Sequence, residues 1–397
     1  MWKMSKFVIP GAAPEQQTLD RYSRQIVLPR GFGGVDPITR LQNSTAIIVG
    51  LGGLGSPVAT YLASSGVGRL VLVDGDSVES SNLHRQVIHC EATVGIPKVV
   101  SAQRRLQEIN SSTKVTTVQS HVTAENVDTL FKDFVDSRTV FFDCTDNLTT
   151  RLIINDGVSK CHPKVPIVSG SAVSLSGQVT VLNTANGGCY NCLQPTKPSS
   201  MSCSTSGILP SVCGIIGGLQ VSQGIKCFLG KDDGVLCNKI LMYDATFDES
   251  FHCFNIPKNP KCRTCCSSNG DNLSTTTSFS GASCSDAQHP NDSKMLPDSY
   301  ISSEEYDKSP DSFVTLDVRT EQEISVGHLK DSIFLHKSPS IMSELVSSEK
   351  PVVFVCRTGI RARQRLIEFE GLGGKGGKVL KGGLFKWKET CPEFPLI

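Results

Sequence analysis

The chain has 397 residues, more than a single hydrophobic core usually fills, so we expect two domains. Its 39 basic and 38 acidic residues leave a net charge of +1, which argues against broad binding to nucleic acid or to anionic membranes. The first ten residues lack the apolar core of a signal peptide, and no later stretch approaches a membrane span. We therefore expect a cytosolic protein that binds neither nucleic acid directly nor a membrane.

A glycine-rich turn follows the first predicted strand. The apolar run 45–49 indicates a buried strand, residues 50–55 form the turn, and Pro57 favours the start of a helix. Such a turn lets backbone N–H groups approach a phosphate at the positive end of the helix. Asp74 ends a second predicted strand, at the distance where a dinucleotide site places its ribose-binding carboxylate. The pattern predicts a nucleotide site.

Two cations and a third strand narrow the choice of nucleotide. Arg85 and Lys98 lie within one crossover of the glycine turn, where a nicotinamide enzyme needs no further phosphate-binding cations but ATP does. A later strand that begins at Val140 is predicted to end in a carboxylate, Asp146, which could hold Mg²⁺ against the phosphates. The alternative is that Arg85 and Lys98 are solvated surface charges.

At these positions the sequence resembles the MoeB/ThiF family, the non-ubiquitin branch of the ubiquitin-activating-type adenylyltransferases. The resemblance implies a Rossmann-like α/β domain that uses ATP and Mg²⁺ to adenylate the C-terminal glycine of a small ubiquitin-like sulfur carrier ending in Gly-Gly. The positions that carry it and that it assigns to the nucleotide are Arg24, Gly53, Asp74, Ser81, Asn82, Leu83, His84, Arg85, Lys98, Asp146 and Asn147.

The same resemblance implies a role for individual residues. Asp74 would bind the ribose, Arg85 and Lys98 the phosphates, and Asp146 the Mg²⁺ ion. Arg24 would reach into the site of a partner protomer, which implies a homodimer.

The cysteines are sorted by their spacing. Sixteen cysteines are too few for a disulfide scaffold, and a reducing cytosol favours metal or catalytic roles. Cys189 and Cys192 form one C-x-x-C pair and Cys262 and Cys265 another, which together predict one structural Zn²⁺ per chain. The alternatives are reduced cysteines in two turns or a thioredoxin-like redox pair. In the resembled family the corresponding cysteines bind zinc away from the catalytic pocket.

One further cysteine lies between the two pairs. Cys203 precedes an apolar segment, 212–228, that is predicted to be a helix. The resemblance implies that Cys203 is catalytic, because eukaryotic members carry a cysteine here that takes the activated carrier as a thioester; a disulfide intermediate is the other possibility. Six cysteines among apolar neighbours are expected to be buried small hydrophobic residues: Cys144, Cys161, Cys213, Cys227, Cys237 and Cys253.

The composition changes sharply after Cys266. Residues 267–299 are rich in Ser, Thr, Asn, Asp and Gly, with too few large apolar residues to bury, so we expect a flexible linker. The predicted domains are therefore 1–266 and 300–397. A tether of this length would let the second domain visit the activation site at high effective concentration.

The second domain is predicted to be a small α/β unit with a reactive cysteine. The apolar run 351–355 indicates a central strand that ends at Cys356, and Arg361 leads into a helix. Backbone N–H groups, a helix N-terminus and arginines favour the thiolate, which could carry a persulfide. The alternative is a core cysteine that caps a strand.

This domain resembles a rhodanese domain in its segments 317–319, 327–328, 356–361 and 381–387, and in the prolines at 392 and 395. A phosphatase is the rival for such a loop, but its phosphate-binding arginine would have to stand at position 362, which is Ala362. The short loop therefore favours sulfur transfer, with Cys356 as the nucleophile.

The order of the two modules resembles the eukaryotic adenylyltransferase and sulfurtransferase fusions. That resemblance implies a carrier such as the small subunit of molybdopterin synthase or a ubiquitin-related modifier. It also implies a persulfide donor such as a cysteine desulfurase. The products would serve molybdenum cofactor biosynthesis and tRNA wobble-uridine 2-thiolation. A non-catalytic scaffold that binds the carrier and a nicotinamide oxidoreductase stay open as alternatives.

Overall fold

The structure, a computed structural model, describes residues 16–29, 31–162, 164–193, 207–231, 233–262, 264–266, 299–320, 323–324, 327–338 and 340–390. The chain divides into two compact units between Ser283 and Cys284. Cys203 and nearly all of the predicted linker lie outside the described residues, and the domain limits at 266 and 300 stay predictions.

The first unit alternates strands and helices before it becomes antiparallel. Its elements are α1 Gln16–Ile26, α2 Val35–Gln42, β1 Thr45–Val49, α3 Gly55–Ser64, β2 Arg69–Val73, α4 Lys98–Ile109, β3 Lys114–Val118, α5 Val127–Leu130, β4 Thr139–Asp143, α6 Leu148–Cys161, β5 Ile167–Val173, β6 Ser176–Leu182, α7 Pro210–Phe228, β7 Lys239–Asp244 and β8 Phe251–Asn255.

The strands of this unit form one mixed sheet in the order β3-β2-β1-β4-β5-β6-β7-β8. The first five are parallel and the last three are antiparallel additions. Ile48 of β1 lies in one hydrophobic cluster and Ile47 in another, because alternate side chains of a strand point to opposite faces. Both faces of the central strands are therefore covered, which explains their continuous apolar sequence.

The strand register brings three chain segments to one edge of the sheet. Val49, the last residue of β1, pairs with Val73 of β2 and with Asp143 of β4. The carboxyl ends of parallel strands meet at the same edge, so the segments after these residues meet there too.

The second unit has a parallel sheet in the order β11-β10-β12-β13-β9. Its strands and helices are β9 Tyr300–Ile301, α8 Ser303–Lys308, β10 Val314–Asp317, β11 Ile333–Phe334, α9 Ile341–Leu345, β12 Val352–Val355, α10 Ile360–Gly371, β13 Lys378–Leu380 and α11 Gly383–Trp387. All four residues of β12 are buried, as the apolar run predicts.

Two expectations from the sequence are wrong. The strand β4 ends at Asp143, not at Asp146, because the carboxylate of Asp143 is buried where it accepts hydrogen bonds from the Thr145 N–H and the Ser169 hydroxyl. Cys161 and Cys253 are exposed rather than buried, since one ends a helix and the other lies on a strand whose residues are all exposed. In the described parts of the chain, no helix has the length and apolar character needed to cross a membrane.

Candidate active sites and metal centre

The glycine turn follows β1 directly and depends on residues without side chains. Gly50 has a φ of +89°, in the left-handed region that favours glycine. A Cβ atom at Gly55 would lie 1.9 Å from the Gly50 carbonyl oxygen, so the turn can close only with glycine there. The turn leads into α3, and its backbone is the candidate phosphate cradle.

Asp74 holds the first peptide of the turn. Its Oδ2 accepts a hydrogen bond from the Leu51 N–H at 2.7 Å, and its Oδ1 accepts one from the Asp76 N–H at 2.8 Å. Burial raises the pKa of Asp74, while the charge of Lys98 opposes that effect. Each carboxylate oxygen keeps a second lone pair, which a ribose hydroxyl could use.

Lys98 is the first residue of α4 and lies among acidic groups. Its Nζ donates to Asp76 Oδ2 at 2.9 Å, and its side chain is only 9% exposed. Burial alone would lower the pKa of Lys98, but the charges of Asp74, Asp76 and Asp146 outweigh it and raise the pKa. The ammonium group therefore stays charged, and segments that follow β2 and β4 act on it together.

Asp146 and Asn147 stand at the start of α6. Asn147 caps the helix, since its Oδ1 accepts a hydrogen bond from the Thr150 N–H at 2.8 Å. Its Nδ2 lies 3.5 Å from Asp146 Oδ1. Asp146 is exposed, as a carboxylate that is to bind a cation from solvent must be.

Residues 80–82 form a short 3-10 helix beside the turn. Asn82 is buried and its Oδ1 accepts a hydrogen bond from the Glu79 N–H at 3.3 Å, while Ser81 is exposed and its hydroxyl donates to Glu79 at 3.0 Å. Leu83 ends this helix and is half-buried. The segment is thus held by its own hydrogen bonds.

Arg85 extends from that segment along the glycine turn. A Cβ atom at Gly53 would lie 3.5 Å from Arg85 Cγ, so the side chain passes close to the turn. The guanidinium donates to the Ser81 carbonyl at 3.1 Å and contacts the His84 ring at 2.9 Å. Burial and the charge of Arg85 lower the pKa of His84, which favours a neutral ring beside the cation.

A buried polar atom beside the turn tests whether a nucleotide fits. Gln86 is 3% exposed, its Oε1 has no hydrogen-bond partner in the described structure, and its Nε2 lies 3.7 Å from where a Cβ at Gly52 would be. Buried acceptors are almost always satisfied, so Gln86 Oε1 is available to accept from a water or from a ribose hydroxyl of a bound molecule. The residues present fit a nucleoside triphosphate.

The four cysteines of the two C-x-x-C pairs come together as predicted. Their Sγ atoms lie within 4.8 Å of one another, with 3.6 Å between Cys189 and Cys262 and 3.5 Å between Cys192 and Cys265. Four thiolates at about 2.3 Å from a common centre have sulfur separations near these values. The cluster fits a tetrahedral zinc ion.

In the second unit, Cys356 lies between β12 and α10. Its Sγ accepts hydrogen bonds from the Gly359 N–H at 3.2 Å and from the Ala362 N–H at 3.4 Å. Gly359 has a φ of +92° and caps α10, so the helix N-terminus faces the sulfur. Donors and a helix N-terminus both stabilise a thiolate.

Arg361 and Arg319 have acidic partners that the sequence did not reveal. Arg361 donates to both carboxylate oxygens of Glu323, at 2.8 and 2.6 Å, and this contact, opposed by burial, raises the pKa of Arg361. Arg319 and Asp317 form a fully buried ion pair at 2.7 Å, and Arg319 also donates to the Gly327 carbonyl. The first pair joins the start of α10 to residue 323, and the second links residue 317 to residue 327.

Sequence reasoning missed several residues that support the sites. Asp76 contacts Lys98 and His89 contacts the turn, yet each is two or more residues from a motif position and has no pattern of its own. An unexpected acidic residue two positions after Asp74 was the one available signal. Arg24 is exposed on α1, and its predicted contact needs a second protomer.

Two family models match the chain. The ThiF family matches residues 22–264, and the rhodanese-like domain matches residues 302–390.

Curated relatives match almost the whole length. The adenylyltransferase and sulfurtransferase MOCS3 of Aedes aegypti is 35% identical over 95% of this chain and 88% of that protein. MOCS3-1 of Zea mays is 35% identical over 99% of this chain and 86% of its own length, and the Dictyostelium discoideum protein is 32% identical over 95% and 96%.

The crystal structure of Escherichia coli MccB is similar to the first part of the chain. It has a TM-score of 0.55 at 23% identity and covers 65% of this chain and 75% of that one. This likeness supports the fold of the larger unit.

Proposed function

The chain belongs to the ThiF family and carries a rhodanese-like domain behind it, and from that premise we propose that it makes a thiocarboxylate at the C-terminal glycine of a ubiquitin-like sulfur carrier. It is an adenylyltransferase and a sulfurtransferase, the two activities that name its relatives. One observation carries the proposal. The same chain holds a glycine turn near charged Lys98 and a cysteine, Cys356, whose sulfur accepts hydrogen bonds from backbone N–H groups.

The first reaction activates the carrier. The terminal carboxylate attacks the α-phosphorus of ATP, pyrophosphate leaves, and a mixed anhydride with AMP results. Asp74 would orient the ribose, while Lys98 and Arg85 would stabilise the charge on the phosphates and the leaving pyrophosphate. Asp146 would hold Mg²⁺, which when bound neutralises phosphate charge.

The second reaction delivers sulfur. The Cys356 thiolate takes the outer sulfur of a persulfide donor, whose own thiol is released, and so becomes a persulfide. The terminal sulfur of that persulfide attacks the acyl carbon and AMP leaves, which gives an acyl disulfide on Cys356. A second thiolate, for which Cys203 is the candidate, attacks the Cys356 sulfur, and the thiocarboxylate leaves as a disulfide forms. A thiol reductant then restores both cysteines.

The donor and acceptor follow from this chemistry. The carrier is a small ubiquitin-like protein ending in Gly-Gly, and the sulfur source is a protein persulfide such as that of a cysteine desulfurase. The proposal also includes a homodimer, in which Arg24 reaches into the partner's site, and one zinc ion per chain at the four cysteines. The protein would act in the cytosol and serve molybdenum cofactor biosynthesis and tRNA thiolation.

The experiment supplies purified protein with ATP and Mg²⁺ and each candidate carrier in turn. Exchange of labelled pyrophosphate into ATP measures adenylation, and the mass of the carrier reports replacement of a terminal oxygen by sulfur. We expect carrier-dependent exchange, followed by thiocarboxylate when a persulfide donor is added. Tight binding of NADH without exchange would support an oxidoreductase instead, and carrier binding without exchange would support a scaffold.

A further inference from the structure

The two cysteine pairs also make contacts beyond the metal cluster. Residues within each pair hydrogen-bond to the same helix, α6. Tyr190 and Asn191 lie between Cys189 and Cys192, and Thr264 lies just before Cys265. Each of these three residues bonds to α6.

The central link is Asn155 on α6. It is 2% exposed, and its Oδ1 accepts a hydrogen bond from the Tyr190 N–H at 2.6 Å. Its Nδ2 donates to Asp156 Oδ1 at 2.9 Å. The same oxygen of Asp156 accepts from Asn191 Nδ2 at 2.7 Å and from the Thr264 hydroxyl at 3.3 Å. Both cysteine pairs therefore hold the middle of α6.

The other end of this helix is the candidate nucleotide site. Arg151, one turn into α6, is 6% exposed and donates from Nη2 to the Thr145 carbonyl, the residue just before Asp146. Arg151 also lies 4.0 Å from Asp143. Burial alone would lower the pKa of Arg151, but the charge of Asp143 and the nearby Tyr190 side chain raise it. One buried guanidinium thus lies near both the first cysteine pair and the segment that carries Asp146.

We infer that the four-cysteine centre positions Asp146 and Asn147 through α6, with Asn155 and Arg151 as the positioning residues, so that zinc retention and Mg·ATP binding are coupled. This inference rests on the proposed nucleotide site. A bound zinc ion fixes the ends of both cysteine pairs, and the pairs fix the helix. Coupling between two ligands is reciprocal, so Mg·ATP must retain zinc as strongly as zinc favours Mg·ATP.

The experiment uses the full-length zinc-loaded protein. Zinc release to a chromogenic chelator is measured with and without Mg·ATP, and Mg·ATP affinity is measured by calorimetry. Free Mg²⁺ and adenosine alone serve as ligand controls. At equilibrium with the chelator, we expect Mg·ATP to raise the zinc affinity by about fivefold or more, the lower end for coupled sites.

Two variants remove the link with different severity. Asn155→Ala removes the buried acceptor, whereas Asp156→Ala removes only the surface bridge and is expected to keep the fold. In both, zinc release should lose its response to Mg·ATP, and the affinity for Mg·ATP should fall by a similar factor. Asp156→Asn keeps an acceptor and should restore part of the response, while Asp133→Ala, an exposed carboxylate in the same unit, should behave as the unmodified protein.

Two results overturn the inference. If Mg·ATP binds the unmodified protein but leaves zinc release unchanged, the nucleotide site stands and the coupling is wrong. If Asn155→Ala and Asp156→Ala both keep the full response, the coupling does not run through α6. Failure of the unmodified protein to bind Mg·ATP at all would instead refute the proposed function together with the inference.

Discussion

The two units use the same local structure for different purposes. In the first, β1 leads through a glycine turn into α3; in the second, β12 leads through the Cys356 loop into α10. Both place backbone N–H groups and a helix N-terminus at the end of a buried parallel strand. The second loop surrounds the sulfur of its own cysteine side chain, whereas the first, under the proposed function, binds the anion of a separate molecule.

This difference decides how far each site extends through the chain. The sulfur of Cys356 is satisfied by N–H groups three and six residues away. The candidate nucleotide site combines the glycine turn with Asp74, Lys98 and Asp146, which follow two other strands or begin another helix. A loop that surrounds its own side chain can be local, while a site for the anion of a separate molecule has to be assembled from several segments.

The largest effect is expected from removing the proposed nucleophile of the second loop. Cys356→Ala should lower sulfur transfer from thiosulfate, and thiocarboxylate formation, by about a thousandfold or more, because the nucleophile is lost. Carrier-dependent pyrophosphate exchange should be unchanged, since the glycine turn is in the other unit. Exposed Cys161→Ala is the matched control.

Mass spectrometry of the carrier after a single turnover provides the decisive measurement. Thiocarboxylate formed at the unmodified rate by Cys356→Ala, with the same donor, would show that another residue delivers the sulfur.

The second effect tests the assembled site. Lys98→Ala or Asp146→Ala should lower pyrophosphate exchange by about 10²–10³-fold, the usual loss for one group that stabilises transition-state charge. Thiosulfate sulfurtransferase activity and zinc content should not change. Lys114→Ala, an exposed lysine on β3, is the control. Near-normal exchange in both variants is incompatible with the proposed ATP site.

These two sites also show what the sequence could predict. The strands at 45–49 and 351–355, the glycine turn, the four-cysteine cluster and the fold class are confirmed, because each depends on local apolar runs or on motif spacing. The roles of Lys98 and Cys356 stay predictions.

The partners of these residues could not be predicted. Asp76 faces Lys98 and Glu323 faces Arg361 only because distant segments fold together. The end of β4 was misplaced for a related reason, since Asp143 is a buried carboxylate with enough hydrogen-bond donors around it to stay inside the fold. A sequence read alone shows the charge of such a residue but not the groups that compensate for it.

A pH effect should distinguish the two loops. His89 is buried, its Nε2–H donates to the Leu51 carbonyl at 3.2 Å, and its Nδ1 accepts from the Ser101 hydroxyl at 2.8 Å. Burial lowers the pKa of His89 to about 4, below the ordinary 6.5. The unfolded chain therefore binds this proton first, so stability is full above pH 6.5 and is lost as the pH falls from 6.5 towards 4.

Between pH 7 and pH 5 the expected loss in the first unit is about 2 kcal/mol, less than the full shift because pH 5 lies above the folded pKa of about 4. In the second unit, Glu323 has a pKa below its ordinary value, since Arg361 and Thr320 outweigh its burial, and stays ionised over this range. Hydrogen exchange at pH 7 and pH 5 should show faster opening of residues 45–64 than of 352–371. His89→Gln should remove most of this pH dependence; an unchanged dependence in that variant assigns it to another group.

The smallest expected effect is on stability and concerns why each loop needs glycine, either because a neighbour would crowd a Cβ or because the backbone is left-handed. A Cβ at Gly53 would lie 2.7 Å from Cys213 Sγ, so Gly53→Ala should lower the free energy of unfolding by about 1–2 kcal/mol through crowding. The double variant Gly53→Ala with Cys213→Ala lacks that sulfur. Its free energy of unfolding should therefore be close to that of Cys213→Ala alone. Gly52→Ala, whose Cβ meets nothing closer than 3.7 Å, is the matched control and should change stability little.

In the Cys356 loop, the requirement for glycine comes from the backbone instead of a neighbour. Gly359→Ala should cost about 1–2 kcal/mol because its φ of +92° is unfavourable for any residue with a Cβ, although the nearest atoms are 3.6 Å or more away. The atoms nearest to that Cβ belong to the backbone, so truncating a side chain cannot relieve the cost, and a double variant with exposed Lys381→Ala should be no more stable than Gly359→Ala. Urea denaturation of the single and double variants measures both cases. If Cys213→Ala fails to rescue Gly53→Ala, the first loop is limited by its own dihedral angles as well, and the proposed difference between the two loops does not extend to their glycines.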